Sequence, residues 1–406
     1  MNKIKLVFAM CGIAAAVLFA GAAHAEGAFT DADLANVLKT EWQSYKADKP
    51  GFTGGIAMKI LSPKGEYFIS TDLGSDITPA HHFRIASVTK TFTAAGIMLL
   101  NQKGLLNIND KITDNIPGTN IPYVPDTPEY NIPYKKDITI RMLLMHRAGI
   151  FDISNNEIPD NQSSHGQPYV GKSYLEYIEE KDKEHTFTFD ELVGINAKNQ
   201  LSFFMPGSAY HYSDTGYSML GKIIERVSGK TYADFIKDEL LTPNGLTETS
   251  LPSKGSDRAI PEPFVKGYVW AKGEVEDVTL SNMTPHVAEG NMTTTPTDLA
   301  NWCKKLMTGN AGLNSQTIEM MKAGMTRDDV PDSKYGLGIV YSVETGYGHA
   351  GAHEGYLTLM YYDPETDTAY VMFTNMWDVQ DGLGSIMTEL KFMVAAAGKV
   401  FKKMGY

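Results

Sequence analysis

The sequence predicts an α+β fold in which strands from both ends of the chain form one antiparallel sheet. Two observations predict this class: strand-like segments with hairpin-length turns lie near both ends, and the middle of the chain has mostly helical periodicity. We therefore expect a single domain over residues 26–406. Its sheet part would span about 28–75 and 335–406, and its mainly helical part about 76–334.

The N-terminal sheet part is predicted to begin with a helix over residues 31–46, since Leu34, Leu38 and Trp42 recur at helical spacing. Thr30 or Asp31 would cap this helix. Residues 54–61 and 66–71 are then predicted to form two strands joined by a short turn that contains Pro63 and Gly65.

The middle of the chain is predicted to be helical at residues 87–103, 139–145, 215–227, 232–240 and 297–307. The C-terminal sheet part is predicted to contain strands at 336–343, 357–362 and 368–374, followed by a long helical tail. Residues 117–133 are rich in proline and residues 155–167 are polar, so both are predicted to be surface loops.

The first residues have the order of a secretory signal. Lys3 and Lys5 precede an apolar run over residues 6–20, and Ala23-His24-Ala25 supplies small residues at a cleavage point. We expect residues 1–25 to be a signal peptide cleaved near Ala25, and the mature chain to be periplasmic or secreted, with no stable membrane span. An uncleaved anchor is the alternative, although the apolar run is short for a membrane helix.

The composition argues against nucleic-acid binding and against a fold that depends on disulfides or metals. The formal net charge is −12, and cleavage would remove two lysines and no acids, so nucleic acid is not an expected partner. Of the two cysteines, only Cys303 would remain, which excludes an internal disulfide. With 43% hydrophobic residues the chain can bury a large core, and we expect it to need no metal and no cofactor.

The first candidate motif is Ser87-x-x-Lys90 at the start of a predicted helix. A lysine three residues after a serine lies on the same helical face and can ease removal of the hydroxyl proton. The alternative is a helix cap beside a solvated lysine. That alternative is weakened because the following helix is apolar on nearly every face, so Lys90 would be buried.

Two further motifs lie far along the chain. Tyr212-Ser213-Asp214 follows a Pro-Gly turn and precedes a helix, so Tyr212 lies on a connection, where functional side chains gather; an aromatic plug under the loop is the alternative. Residues 347–356 are predicted to form a glycine-rich strand. Its glycines could allow a substrate to approach the backbone closely, or they could mark a simple β-bulge.

Two other patterns are not supported. Residues 216–222 resemble a phosphate loop but lack the required Ser or Thr. His349 and His353 lie on a predicted strand, so they need not face one metal ion.

Together, Ser87-x-x-Lys90, Tyr212-Ser213-Asp214 and His349-Ala350-Gly351 resemble the three motifs of the serine β-lactamase and D-alanyl-D-alanine carboxypeptidase superfamily. The similarity is to the branch with class C β-lactamases, DD-peptidases, D-aminopeptidases and related esterases. The segments 138–150, 220–230 and 293–299 are also similar to this family, and the resemblance covers about residues 30 to 375.

The resemblance implies a β-lactamase/transpeptidase-like fold and an acyl-enzyme on Ser87. Lys90 and Tyr212 would share the proton transfers, and His349 would occupy the position that family members fill with Lys or His. The backbone N–H groups of Ser87 and Ala352 would hold the oxyanion. Asp214, Ala350 and Gly351 would contact the substrate.

Two departures from the family pattern bear on the substrate. Asp214 replaces an Asn and would favour the charged form of Lys90, which shifts the expected base toward Tyr212. Ala350 replaces a Thr or Ser that contacts a substrate carboxylate, and loss of that hydroxyl counts against tight carboxylate recognition.

The expected partner is a small peptide, amide or ester, with β-lactams as covalent inhibitors. The leading hypothesis is a D-alanyl-D-alanine carboxypeptidase-like peptidase that acts on peptidoglycan-type D-amino-acid peptides. A carboxylesterase or a weak β-lactamase of the same fold is the alternative. A penicillin-binding or sensor protein without turnover is the alternative from another class.

Overall fold

A computed structural model of the chain describes residues 29–327 and 332–406. The predicted signal peptide, residues 1–25, lies outside the described residues. Across these two ranges, no helix combines the length and the apolar character that crossing a membrane requires.

The helices and strands of the described residues follow the chain in an order that places strands at both ends and helices between them. The strands are β1 (Ile56–Ser62), β2 (Gly65–Thr71), β3 (Phe83–Arg84), β4 (Tyr268–Ala271), β5 (Glu274–Asp277), β6 (Thr293–Thr294), β7 (Met325–Thr326), β8 (Ser333–Tyr335), β9 (Val340–Ser342), β10 (Gly346–His353), β11 (Tyr356–Asp363), β12 (Thr368–Thr374) and β13 (Met376–Asp378). The helices are α1 (Asp31–Lys46), α2 (Thr89–Gln102), α3 (Ile140–Leu144), α4 (Tyr174–Glu179), α5 (Phe189–Asn199), α6 (Asp214–Ser228), α7 (Tyr232–Ile236), α8 (Thr242–Asn244), α9 (Pro296–Met307), α10 (Ser315–Lys322) and α11 (Leu383–Lys403).

The main sheet joins the two ends of the chain, which confirms the predicted α+β class. In the described part of the chain it has eight strands in the order β2-β1-β12-β11-β10-β9-β8-β7, all antiparallel to their neighbours. The two ends of the chain meet where β1 pairs with β12, with Met58 opposite Met372. The first helix begins as predicted, because Thr30 forms a capping box with Asp33.

Both faces of this sheet are covered. Along β12, Tyr370 and Met372 pack into a core shared with α1 and α11, whereas Val371 and Phe373 pack into the core that contains α2, α6 and α9. Every residue of β12 is therefore buried, since successive side chains point to opposite faces of the sheet. Cys303 on α9 is fully buried.

Several local predictions were wrong. Of the strand predicted at 336–343, only β9 (Val340–Ser342) is a strand, and β8 (Ser333–Tyr335) ends before that range begins; the chain between them turns at Gly338, which has a φ of +73°. A second sheet of β13, β4 and β5 was not predicted, since β5 is short, acidic and exposed, with no apolar alternation. Helices α4, α5 and α10 were also missed.

The two predicted surface loops are not purely surface structures. Tyr123 and Tyr130 are fully buried within 117–133 and anchor that segment in the main core. Asn155, at the start of the other predicted loop, is only 7% exposed and contacts the candidate site.

The fold brings the segment before α2 against β10. A Cβ atom at Gly351 would overlap the carbonyl oxygen of Ile85, so only glycine allows the strand to approach this closely. The glycine of the third motif thus sets the distance between β10 and the turn that carries Ser87.

Candidate active site

Ser87 lies in a short 3₁₀ turn, Ala86–Val88, between β3 and α2. Ala86 has a φ of +49°, a left-handed conformation that is uncommon for a residue with a Cβ atom. Backbone strain of this kind persists where the surrounding structure enforces it, often at functional sites. The turn places Ser87 in the wall of a cleft, where only 2% of the surface of Ser87 is exposed.

Lys90 lies in the first turn of α2 and is fully buried. Its Nζ donates to Ser87 Oγ at 3.2 Å and to the carbonyl oxygen of Glu289 at 2.8 Å. It also forms ion pairs with Asp214 Oδ1 at 2.6 Å and Glu289 Oε2 at 3.2 Å. The structure therefore brings Ser87, Lys90 and Asp214 together, and it adds Glu289, which the motifs did not indicate.

The two carboxylates keep Lys90 charged. Burial disfavours its ammonium form, but the negative charges of Asp214 and Glu289 outweigh burial and raise the pKa of Lys90. Burial, reinforced by the charge of Glu289, raises the pKa of Asp214 to about 6. Glu289 is different: burial opposes its charge, but Lys90 and His286 outweigh burial, so the pKa of Glu289 is lowered.

Glu289 connects Lys90 with a histidine in the cleft wall. Its Oε1 lies 2.6 Å from His286 Nδ1, while its Oε2 contacts Lys90. Burial disfavours the charge on His286, but Glu289 outweighs this effect and raises the pKa of His286. The His286 side chain is 22% exposed, so the buried carboxylate has one partner in the core and one at the cleft.

Asp214 is held from its other side by Asn155. The amide nitrogen of Asn155 donates to Asp214 Oδ2 and to Asp152 Oδ2, each at 2.7 Å. Burial, together with the charge of Asp214, raises the pKa of Asp152 well above its usual range, which favours its protonated form. The prediction that residue 155 belongs to a surface loop was wrong because this amide satisfies two buried carboxyl groups.

Tyr212 immediately precedes Ser213, the N-cap of α6, and is 2% exposed. Burial and then the charge of Asp214 raise the pKa of Tyr212 well above its usual range, and the nearby Ser87 side chain only partly opposes this. Lys90 Nζ lies 4.9 Å from the centre of the ring. Asp214 thus raises the pKa of both Lys90 and Tyr212, so its presence does not favour Tyr212 as the base.

His349 on β10 is neutral, and both of its ring nitrogens are hydrogen-bonded. Its Nδ1 lies 2.6 Å from the carbonyl oxygen of Ala350 and therefore carries a hydrogen, which leaves Nε2 to accept from the Tyr335 hydroxyl at 2.9 Å. Burial, reinforced by the charge of Lys90, lowers the pKa of His349 to about 3. The residue therefore lacks the positive charge that a lysine would offer a substrate carboxylate.

A directed set of hydrogen bonds links the second motif to the third. The Ser213 N–H donates to His146 Nδ1 at 3.1 Å, so the His146 proton is on Nε2 and points to the Tyr335 hydroxyl at 3.1 Å. That hydroxyl then donates to His349. The tautomers are assigned from this network, and each member has a donor and an acceptor.

The cleft beside Ser87 also contains Ala352, the predicted second oxyanion donor, and Asp214. Gly351 lies behind this wall against the Ser87 turn, and Ala350 is half-buried. Six carboxylate side chains line the cleft, and none of its described lining residues is Lys or Arg. These carboxylates are Glu157, Glu176, Glu179, Asp214, Glu289 and Glu354.

The sequence motifs gave no indication of Glu289, His286 or Asn155. Glu289 and His286 are three residues apart around a short 3₁₀ turn, Thr284–His286, where no periodic pattern marks them. A histidine followed by a glutamate three positions later, just before the 293–299 segment, was the available signal. It is too common to identify a site without the contact to Lys90.

A model of the Beta-lactamase family matches residues 61–384 of the chain. Penicillin-binding protein 4* of Bacillus subtilis is 32% identical over 189 residues, which are 46% of this chain and 34% of the relative. Protein flp of Staphylococcus aureus is 28% identical over 192 residues, 47% of this chain and 32% of the relative. The matched region thus spans about a third of these curated relatives.

Solved structures show the same fold. D-amino acid amidase from Ochrobactrum anthropi SV3, complexed with L-phenylalanine amide, superposes with a TM-score of 0.71 at 23% identity over 92% of this chain and 100% of that chain. The octameric penicillin-binding protein homologue from Pyrococcus abyssi superposes with a TM-score of 0.68 at 21% identity over 90% of this chain and 77% of that chain.

Proposed function

Because the chain belongs to the Beta-lactamase family, whose members have a serine-hydrolase-type fold, we propose that it hydrolyses a small amide or ester through an acyl-enzyme on Ser87. The observation that carries this proposal is the 3.2 Å contact between Ser87 Oγ and a fully buried Lys90 at the wall of an open cleft. An apolar residue at this buried position would stabilise the fold at least as well as a charged lysine does. The lysine is therefore better explained by a role in catalysis than by a role in stability.

In the first step, Ser87 Oγ attacks the substrate carbonyl carbon. Its proton passes to Lys90 Nζ while Lys90 passes a proton to Asp214 Oδ1, only 2.6 Å away. A pKa of about 6 for Asp214 makes this carboxylate a suitable acceptor near neutral pH. Lys90 thereby serves as a relay and does not need to be neutral in the resting enzyme.

Tyr212 is suited to protonate the leaving group. Its raised pKa keeps the hydroxyl protonated, and the centre of its ring lies 4.9 Å from Lys90 Nζ, beside the nucleophile. As the bond from the carbonyl carbon to the leaving nitrogen or oxygen breaks, Tyr212 gives its proton to that atom. The proton held by Asp214 then returns through Lys90 to Tyr212, and the backbone N–H groups of Ser87 and Ala352 hold the oxyanion.

The charge of the cleft favours substrates without a carboxylate. The described lining has six acidic side chains and no Lys or Arg, His349 is neutral, and Ala350 has no hydroxyl. The one lining residue with a raised cationic pKa, His286, is already paired with Glu289, so a substrate carboxylate has no unpaired cation among these residues. Such a carboxylate would be both desolvated and repelled. Neutral or positively charged amides and esters are therefore the preferred class, and the solved D-amino acid amidase acts on an amide by its name.

A D-alanyl-D-alanine carboxypeptidase-like peptidase, with β-lactams as covalent inhibitors, is the second candidate. The similarity to penicillin-binding protein 4* of Bacillus subtilis favours it. A penicillin-binding or sensor protein without turnover belongs to another class, and the assembled Ser87, Lys90 and Tyr212 argue against it.

A substrate panel tests the proposal: D-amino-acid amides, short p-nitrophenyl esters, D-alanyl-D-alanine peptides and nitrocefin, each with the wild type and Ser87→Ala. We expect Ser87-dependent turnover of amides and esters that exceeds turnover of the carboxylate-bearing substrates. Fastest cleavage of the D-alanyl-D-alanine peptides would favour the second candidate. No fluorophosphonate labelling of Ser87, with wild type equal to Ser87→Ala, would remove the enzyme hypothesis.

A further inference from the structure

The His286–Glu289 pair has no part in the acylation steps above, although it lies in the same cleft wall as Ser87. The two residues form a carboxylate-oriented imidazole, with Glu289 Oε1 2.6 Å from His286 Nδ1. Because Nδ1 is bonded to Glu289, proton exchange with the cleft goes through His286 Nε2. This is the arrangement in which a carboxylate fixes the tautomer of a histidine that acts as a general base.

Glu289 is also connected to Ser87 through Lys90. Its Oε2 lies 3.2 Å from Lys90 Nζ, which in turn lies 3.2 Å from Ser87 Oγ. One buried carboxylate thus joins a histidine at the cleft to the lysine that contacts the acylated oxygen. A proton accepted at the cleft has a continuous path of hydrogen-bonding atoms to Ser87.

Other groups are less suited to activate water in the cleft. Lys90 and Tyr212 lie behind the wall, with 0% and 2% of their surface exposed, and both are held in their protonated forms. His353 also lines the cleft, with its ring centre 5.2 Å from that of His286. Its Nε2, however, has no hydrogen-bond partner among the described residues, and no carboxylate is shown to orient it.

Resting on the proposed acyl-serine function, we propose that His286, oriented by Glu289, is the base that activates water to release the acyl group from Ser87. Water adds to the ester carbonyl carbon and gives its proton to His286 Nε2. The bond from that carbon to Ser87 Oγ breaks, and Ser87 Oγ takes a proton from Lys90. His286 gives its Nδ1 proton to Glu289, and Glu289 gives a proton to Lys90. A free carboxylic acid leaves, and exchange with water in the cleft removes the proton from Nε2 and returns one to Nδ1.

The test separates acylation from release with p-nitrophenyl acetate. The burst of p-nitrophenol measures acylation, the later steady rate measures release, and intact-protein mass measures the acetyl-enzyme. We expect His286→Asn to keep the burst, to slow the steady rate about 100-fold and to accumulate acetyl-Ser87. Added imidazole should restore part of the steady rate of His286→Gly.

A matched control is His185→Asn, because His185 also pairs with a glutamate, Glu191, at 2.9 Å but does not line the cleft. It should leave both phases unchanged. Equal steady rates and equal acetyl-enzyme in wild type and His286→Asn would overturn the inference and leave the proposed function intact. No burst in the wild type, with no fluorophosphonate label on Ser87, would instead overturn the proposed function and this inference with it.

Discussion

Two buried groups of polar side chains flank Ser87. One is stable with charged side chains, and the other is stable with neutral ones. The charged cluster consists of Lys90, Asp214 and Glu289. The neutral cluster consists of Tyr212, His146, Tyr335 and His349. Both are shielded from water to a similar degree, so burial alone does not explain why only one of them carries charge.

The difference lies in the partners. Lys90 has two carboxylates within 3.2 Å, and their charges overcome the effect of burial on its pKa. His146 and His349 face each other across Tyr335 with Lys90 nearby, so burial and that positive charge both lower their pKa values. The charged cluster can therefore store and move protons, whereas the neutral cluster positions Tyr212 and β10.

The most disruptive change is Lys90→Ala. It would leave Asp214 and Glu289 without their shared cation, and loss of one partner of a buried pair costs about 3–5 kcal/mol. We expect a loss of unfolding free energy of that size in denaturant titration, together with loss of fluorophosphonate labelling of Ser87.

The control for this change is Lys103→Ala, because Lys103 pairs with Glu239 at 2.6 Å but is 45% exposed. An exposed pair contributes about 0.2–1 kcal/mol, so the control should remain nearly as stable as the wild type. If both variants lost the same small amount, the charged cluster would not depend on its lysine.

The next largest effect is expected on turnover with Tyr212→Phe. The ring still packs between His146 and Lys90, so the melting temperature should change little. The leaving group loses its proton donor, so turnover of an amide should fall about 100-fold. Tyr130→Phe removes another buried hydroxyl, one that donates to Asp190 away from the cleft, and should leave turnover unchanged. Wild-type turnover by Tyr212→Phe would exclude it from the chemistry.

Asp214→Asn tests the charged cluster through pH. Protonated Asp214 cannot accept the proton of Lys90, so the wild-type acylation rate should fall as the pH drops through about 6, the pKa of this group. The variant should acylate about tenfold more slowly at neutral pH, without this acid limb. The rate of fluorophosphonate labelling measured across pH checks both expectations. An unchanged limb in Asp214→Asn would assign it to another group.

The sequence predicted the sheet because β12 and its neighbours combine apolar residues with clear turns, and it missed β5 because four exposed acidic and apolar residues carry no such pattern. Ser87, Lys90 and Tyr212 were identified because they belong to short motifs. Glu289 was not identified, because its role depends on its contact with Lys90 on α2. The two residues are 199 positions apart in the chain.

The charge states were less predictable than the positions. Asp214 was expected to favour the charged form of Lys90, and the ion pair at 2.6 Å agrees with that expectation. The neutral state of His349 could not be inferred from its motif, because it depends on burial, on the charge of Lys90 and on the hydroxyl of Tyr335, which lies outside the motif.

The smallest effect on catalysis is expected for Tyr335→Phe. This change removes the hydroxyl between His146 and His349 and leaves two buried ring nitrogens without their partner, at a cost of about 1–3 kcal/mol in unfolding free energy. No charge near Ser87 changes, so the acylation rate should fall only a few-fold and its acid limb should stay in place. Tyr341→Phe, on the half-buried part of β9, is the control and should leave stability unchanged. A Tyr335→Phe variant that keeps its stability but acylates as slowly as Tyr212→Phe would show that the neutral cluster also transfers protons.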